Sequence, residues 1–335
     1  MQQGKNLTCA ITDLIDIRER NKDLEMDQFP VEILYEVFRQ LGPSDLLRCS
    51  LVCNTWHNEA TQPRLWKSLD LSLLTPREVA ALASIADDPR HLWLSHRLEE
   101  YTTDLLLKCP SYIGPRHLKL LEPLIRRTHK LDTLHLDRIQ LEGPTCDELF
   151  TSLCASKCEL TTLSLRQTLI SSQSLRALLI TYGPKLRHLD LSYTGIDDSS
   201  LYDIAQYCPN LESLCMDAVF RLSADAIEMF FRYRAPLTLK NLSLKYTYVL
   251  RPNWLLAYAA RQGQNTCCRL QKVYIEGCDV FTIKDVKTLS ALTGDKCFIS
   301  HSAILEEDSL QGYRSLIDRL ATGIINDPED SRIRA

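Results

Sequence analysis

The sequence predicts an α/β chain in two parts: an N-terminal unit of three short helices, then a right-handed solenoid, a horseshoe with a parallel concave sheet and helices on its convex side. Three observations carry this. Six segments with leucine or an equivalent at positions one, four and six recur along the C-terminal two-thirds of the 335 residues. The stretch after each segment carries apolar residues at helical spacing. Before them, residues 29–66 hold three helical patterns broken by Gly42-Pro43.

The six segments are LDTLHL from Leu131, LTTLSL from Leu160, LRHLDL from Leu186, LESLCM from Leu211, LKNLSL from Leu239 and LQKVYI from Leu270. Their starts lie 29, 26, 25, 28 and 31 residues apart, the spacing of the leucine-rich repeat, in which each coil holds one strand and one helix. In such a strand the fourth and sixth residues point into the coil and the residues between them point out. After LDLSYTGIDD, Leu201, Ile204 and Ala205 recur at helical spacing until Cys208-Pro209. The stretch LRHLDLSYTGIDDSSLYDIAQYCPNLESL resembles the cysteine-containing subtype of the repeat. A single coil cannot bury its own apolar face, so neighbours must stack.

The ninth repeat position is a bend, where a hydroxyl or thiol can bond the backbone. Thr168, Thr194, Thr247 and Cys278 fit it, while Ile139 and Val219 depart and predict bends of different geometry. Between residues 67 and 130 the phase is irregular. Trp66, Leu69 and Leu71 fit a first strand, and HLWL at His91 and HLKL at His117 are candidate strands, although Leu118 to Leu134 is a short step for a full coil. From Glu307 onward Leu310, Tyr313, Leu316, Ile317 and Leu320 predict a helix capping the last coil, within a C-terminal cap and polar tail over 301–335.

The N-terminal unit reads FPVEILYEVFRQLGPSDLLRCSLVCNTWHNEATQPRLWKSLDL from Phe29. Pro30 suits a helix start, where its missing N–H would be unpaired anyway, and Glu32 complements the positive helix end. Ile33, Leu34, Val37, Phe38 and Leu41 share one apolar side at helical spacing. Gly42-Pro43 ends that helix with a left-handed exit, Ser44 or Asp45 caps a second helix carrying Leu46, Leu47, Leu51 and Val52, and Trp56 lies on a third. About forty residues are too few for a self-sufficient core, so an outside surface must cover part of the unit.

These residues resemble the F-box family over 27–66, about an eighth of the chain. The family pattern opens Leu-Pro-x-Glu-Ile-Leu, turns through Leu-x-x-x-Asp-Leu, and closes on Val-Cys-x-x-Trp and Leu-Trp. Here FPVEIL, LGPSDL, VCNTW and RLW stand at the expected separations, with Phe29 replacing the opening leucine. The resemblance implies docking onto the Skp adaptor of a cullin–RING ubiquitin ligase. Phe29, Pro30, Ile33, Leu34, Leu47, Val52, Cys53 and Trp56 are the positions carried over as docking or supporting residues. The plainer alternative is a capping module on the solenoid. The family order implies a substrate-choosing subunit, in which the F-box binds the Skp adaptor and, through it, cullin and RING subunits. A leucine-rich-repeat scaffold that binds the adaptor without substrate transfer is the competing reading.

Composition narrows the remaining classes. Net charge of −4 gives no general pull toward nucleic acid or anionic membrane. The thirteen cysteines are scattered and odd in number, unlike a secreted disulfide framework. Asp13, Asp16, Arg18, Glu19 and Arg20 interrupt any apolar leader over residues 1–26, which read as a linker or short helix. A cytoplasmic or nuclear protein is expected, with no membrane or nucleic-acid partner. No phosphate-cradling, zinc-protease or nucleophile-elbow motif is present. Cys154 and Cys158, and Cys267-Cys268, lack the companions a zinc site needs. Neither enzyme activity, cofactor nor metal is expected.

The substrate surface is expected on the concave side of coils spanning 67–300. The fifth-position row is His135, Ser164, Asp190, Cys215, Ser243 and Tyr274; the seventh is Asp137, Arg166, Ser192, Asp217, Lys245 and Glu276. Both rows should face solvent as a mixed-charge sheet. His135, Arg166, Asp190, Asp217, Lys245 and Tyr274 are the candidate contacts. Arg166 and Tyr274 lead, because arginine and aromatics dominate binding hot spots.

Overall fold

The computed structural model describes residues 30–72, 74–86, 92–113, 122–139, 144–155, 158–264, 268–294 and 297–302. Three helices come first: α1 Val31–Phe38, α2 Pro43–Cys49 and α3 Asn54–Ala60. A 3-10 turn, Pro63–Trp66, leads into β1, Ser68–Asp70. Strands and helices then alternate through α4 Pro76–Ala86, α5 Leu92–Glu100, β2 Asp104–Ile113, α6 Glu122–Arg127, β3 Thr133–Ile139, α7 Pro144–Ala155 and β4 Thr162–Ser164. They continue as α8 Ser172–Tyr182, β5 His188–Asp190, α9 Asp198–Tyr207, β6 Ser213–Cys215 and α10 Ala224–Met229, which runs into a π-turn at Phe230–Arg234. The last elements are β7 Asn241–Ser243, α11 Pro252–Gly263, β8 Lys272–Tyr274, α12 Ile283–Thr293 and β9 Phe298–Ser300.

Among the described residues nine strands form one parallel sheet in chain order, as stacking of successive coils requires. The fourth repeat position sets the register: Leu69, Leu105, Leu134, Leu163, Leu189, Leu214, Leu242, Val273 and Ile299 pair in turn across the sheet. The first eight are buried, as are the first-position leucines from Leu131 to Leu270. At the second position one carbonyl serves two N–H groups of the next coil; Arg187 O, for example, accepts from Glu212 and Ser213, each at 2.8 Å.

The convex side supplies the helix starts. Ser171, Asp197, Ser223 and Thr282 each accept the N–H of the residue three further on, and Thr282 with Asp285 makes a reciprocal capping box. β4, β5, β6 and β8 therefore each pass through a bend directly into a capped helix, whereas α11 after β7 has no side-chain cap. One residue per bend holds a left-handed φ: Arg138, Gln167, Tyr193, Ala218, Tyr246 and Gly277, all at repeat position eight. Nothing in the residue types announces this, since five of the six are not glycine.

Several expectations change. The HLWL segment is helical: Leu94 and Leu98, four residues apart, are both buried on one side of α5. The missing strand is β2. Its first-position residue is Thr102, whose buried hydroxyl bonds Trp66 O at 2.7 Å, so a leucine pattern overlooks it. With Leu105 in the register the short step before Leu134 disappears. HLKL lies outside the described residues. The bends at Ile139 and Val219 share the left-handed φ, Arg138 and Ala218 holding 62° and 51° beside 55°, 60° and 57° in the threonine-bearing bends. The Ile139 bend does differ, because β3 runs on through Ile139, which pairs with Ile113. Gly42 is extended (φ −75°, ψ 167°) and precedes α2, whose first residue is Pro43, so no side chain of Ser44 or Asp45 caps it. The expected C-terminal cap falls beyond Ser302, outside the described residues.

Candidate functional site

Two surfaces matter: the outer side of the three-helix unit and the inner side of the sheet. In the first, α1 carries two apolar stripes. Leu34 and Phe38 face inward with Leu46, Leu51, Cys53 and Ala60, and Phe38 meets Trp56 edge-on at 5.3 Å. Trp66 closes the unit from below, its indole N–H donating to Ala60 O at 2.9 Å. Arg97 Nε donates to Thr61 O at 2.8 Å, tying the unit to the first coil.

The second stripe points the other way. Ile33 and Val37, one helical turn apart, are each 51% exposed, and Pro30 and Val31 are exposed beside them. The single apolar side expected from sequence therefore splits into a buried face and an open one. Of the carried-over residues, Pro30 and Ile33 lie on the open face. Leu34 and Cys53 belong to the core; Leu47, Val52 and Trp56 are partly buried; Phe29 lies outside the described residues. Val37 is the open-face residue that the family pattern did not single out.

On the sheet, the fifth-position row behaves unevenly and the seventh departs from expectation. Ser164 and Ser243 of the fifth row, and Asp137, Ser192 and Asp217 of the seventh, are buried, so these five do not face solvent. They bond between coils. Asp137 accepts from the Ser164 hydroxyl at 2.5 Å. Asp217 accepts from the Ser243 hydroxyl at 2.5 Å and Lys245 N–H at 2.9 Å, and its own N–H donates to Ser192 Oγ at 3.1 Å. Coil spacing of about 4.8 Å puts a short acid within reach of the next coil's hydroxyl, which a pattern within one repeat cannot reveal. Asp217 is consequently a structural acceptor and not an exposed contact.

The reachable polar groups are fewer. Arg166 lies 4.0 Å from both Asp190 and Asp217 and 4.8 Å from the centre of the Tyr193 ring. Lys245 pairs with Glu276 and lies 4.9 Å from the centre of the Tyr274 ring. Burial raises the Glu276 pKa, but hydrogen bonds from Lys245 and Ser300 outweigh it and leave the carboxyl below its ordinary value. His135 Nδ1 stands 4.0 Å from Asp137. Burial, reinforced by Asp190 and Asp217, pushes the Cys215 thiol up to about 12, so it is a neutral packing residue. Among the described residues no group of His, Cys, Asp or Glu side chains is placed to hold a metal ion, and no helix is long and apolar enough to cross a membrane.

An F-box-like helical unit joined to a leucine-rich-repeat solenoid makes the chain similar to the F-box and leucine-rich-repeat proteins. The family model described as F-box-like matches residues 26–72. Three similar curated proteins are named F-box/LRR-repeat protein 5. That of Xenopus laevis is 25% identical over 183 residues, 52% of this chain and 25% of the relative. That of Salmo salar is 46% identical over 44 residues, 13% of this chain and 6% of the relative. The chain thus spans at most a quarter of the length of these relatives. Among solved structures, one titled "Crystal structure of Rad7 and Elc1 complex in yeast" is matched at 13% identity and a TM-score of 0.32, covering 85% of this chain and 92% of that one.

Proposed function

We propose that this chain is the substrate-choosing subunit of an SCF-type ubiquitin ligase. In this reading the open face of α1 binds the Skp adaptor, which brings the cullin and RING subunits. The repeats hold a protein substrate, and the chain itself performs no catalysis and needs no cofactor. Its place of work is the cytoplasm or nucleus. The observation that carries this is the second stripe of α1. Pro30, Val31, Ile33 and Val37 are apolar and open although the unit's inner core is already filled. A capping module would need only the inner stripe.

Single apolar contacts in such an interface are worth about 1–3 kcal/mol when truncated. A full-length Ile33→Asp/Val37→Asp double variant should keep the wild-type melting temperature and lose copurification with Skp adaptor and cullin. Retention of both subunits by a folded double variant would overturn the adaptor reading. Retained binding without ubiquitin-dependent turnover of any bound protein would instead favour the scaffold.

A further inference from the structure

We infer that the substrate is gripped along the post-strand edge of the horseshoe, outside the floor of the sheet, and that it presents an extended segment with apolar or aromatic side chains beside carboxylates. This deepens the substrate half of the proposed function and rests on it. Leu169, Tyr193, Phe220, Tyr246, Tyr248 and Val280 come from the bends of consecutive coils and are all exposed. Phe220 and Tyr248, both at the tenth repeat position, stack on each other with centroids 6.1 Å apart, at exposures of 69% and 58%. Exposed large side chains are ordinary when scattered. Here they come from the bends of five consecutive coils, β4 to β8, at repeat positions eight, ten and eleven.

This edge is also held stiff. Tyr193 and Tyr246 occupy left-handed backbone positions, and the Tyr246 ring lies where any Cβ on Gly277 would stand. Pre-ordered aromatic rings lose little entropy on binding, the property hot spots share. An extended chain repeats its side chains on one face every ~6.6 Å, close to the spacing of the stacked pair.

Charge decides the partner. Arg221, next to Phe220 in the chain, and Arg251, three residues after Tyr248, are both exposed; one Arg221 nitrogen donates to Gly195 O at 3.3 Å. The neighbouring acids are committed: Asp197 caps α9 and accepts from Ser172 at 2.8 Å, and Asp198 accepts Ser223 N–H at 2.8 Å. Asp225, in the first turn of α10, and Asp279, in the last bend, are exposed exceptions outside the bends that carry the stacked pair. The centre of the edge is therefore aromatic and positive, which fits an acidic, apolar segment. The sheet floor is instead closed on itself through Arg166 with Asp190 and Lys245 with Glu276.

The test pans a random linear-peptide display library on the purified full-length chain and titrates the enriched peptides by fluorescence anisotropy. Enrichment of sequences pairing Phe, Leu or Trp with Asp or Glu is expected. Phe220→Ser/Tyr248→Ser should weaken them at least tenfold, and Arg221→Glu/Arg251→Glu should do the same. Arg166→Ala/Tyr274→Ala should change them less than threefold. Enriched basic peptides, no enrichment, or loss through the floor pair with the edge pair intact would each overturn the inference. So would edge-dependent binding to vesicles of anionic phospholipid, or an edge-dependent dimer of this chain in light scattering. Skp adaptor copurification, measured on the same variants, should stay at wild type; its loss would count against the docking reading alone.

Discussion

The tightest backbone demand in the molecule falls on single residues. Position eight of six successive repeats, β3 to β8, takes a left-handed φ, which costs an L-residue roughly 1–2 kcal/mol. Gly277 meets this without strain, and an added Cβ would come within 2.3 Å of Tyr246 Cδ1. Gly277→Ala is expected to destabilise by about 1–3 kcal/mol and to displace the Tyr246 ring, read by denaturant midpoint and tyrosine fluorescence. Ala218→Gly removes the same strain from a bend with φ 51° and should be neutral or stabilising by up to about 1 kcal/mol. A loss in Ala218→Gly matching that of Gly277→Ala would mean the backbone strain is not what matters there. These positions were illegible beforehand because arginine, glutamine, tyrosine and alanine all fill them. The ninth position was legible: Thr168 and Thr194 donate to the carbonyls of Leu165 and Leu191 at 2.5 Å, and the Cys278 thiol to Leu244 O at 3.2 Å.

At the scale of one coil, strand, bend and cap act together. Asp197 ends the bend and starts α9, taking hydrogen bonds from Ser199, Ser172 and Ser200. Burial raises its pKa, and those bonds outweigh burial, leaving the carboxyl below the ordinary aspartate value. A group depressed in the folded state stabilises above its unfolded pKa of about 3.9 and loses that contribution as pH falls through the lower folded value. Asp197→Ala should cost about 1 kcal/mol at neutral pH, and its stability should vary less than wild type below about pH 4. An unchanged acid limb in the denaturant midpoint would rule this out. Coils whose first residue is leucine were readable from the sequence. The coil opening on Trp66 was readable as well, but the one opening on Thr102 was missed, because a hydroxyl does there by hydrogen bonding to Trp66 O what leucine does by packing.

Across the whole molecule the helical unit and the solenoid share one core. Trp66 is both the floor of the unit and the first buried position of the β1 coil, and Arg97 and Thr102 reach back to Thr61 O and Trp66 O. Deleting 27–66 should therefore weaken amide protection in β1 and β2 while β5–β8 keep theirs, since solenoid coils depend mainly on their neighbours. Equal protection across all strands after deletion would show that the two parts are independent. The docking face was only half legible. Helical spacing placed Ile33, Leu34, Val37 and Phe38 on one side, but which pair turns outward depends on where Trp56 and Leu46 pack.

The bend also limits how such a chain can change length. From first residue to left-handed eighth position each coil is rigidly counted, whereas the distance between coils varies from 25 to 31 residues. All of that slack lies after the bend, in the helix and its return. A residue inserted before the bend would turn a leucine of the ladder outward and break the register with both neighbours. The same insertion after the helix would only lengthen a return loop. From β3 to β8 this surface is therefore expected to gain or lose whole coils and to remodel its convex side freely while its inner wall changes by substitution; β2, whose register shifts between Lys108 and Ile113, is where the wall departs from that count.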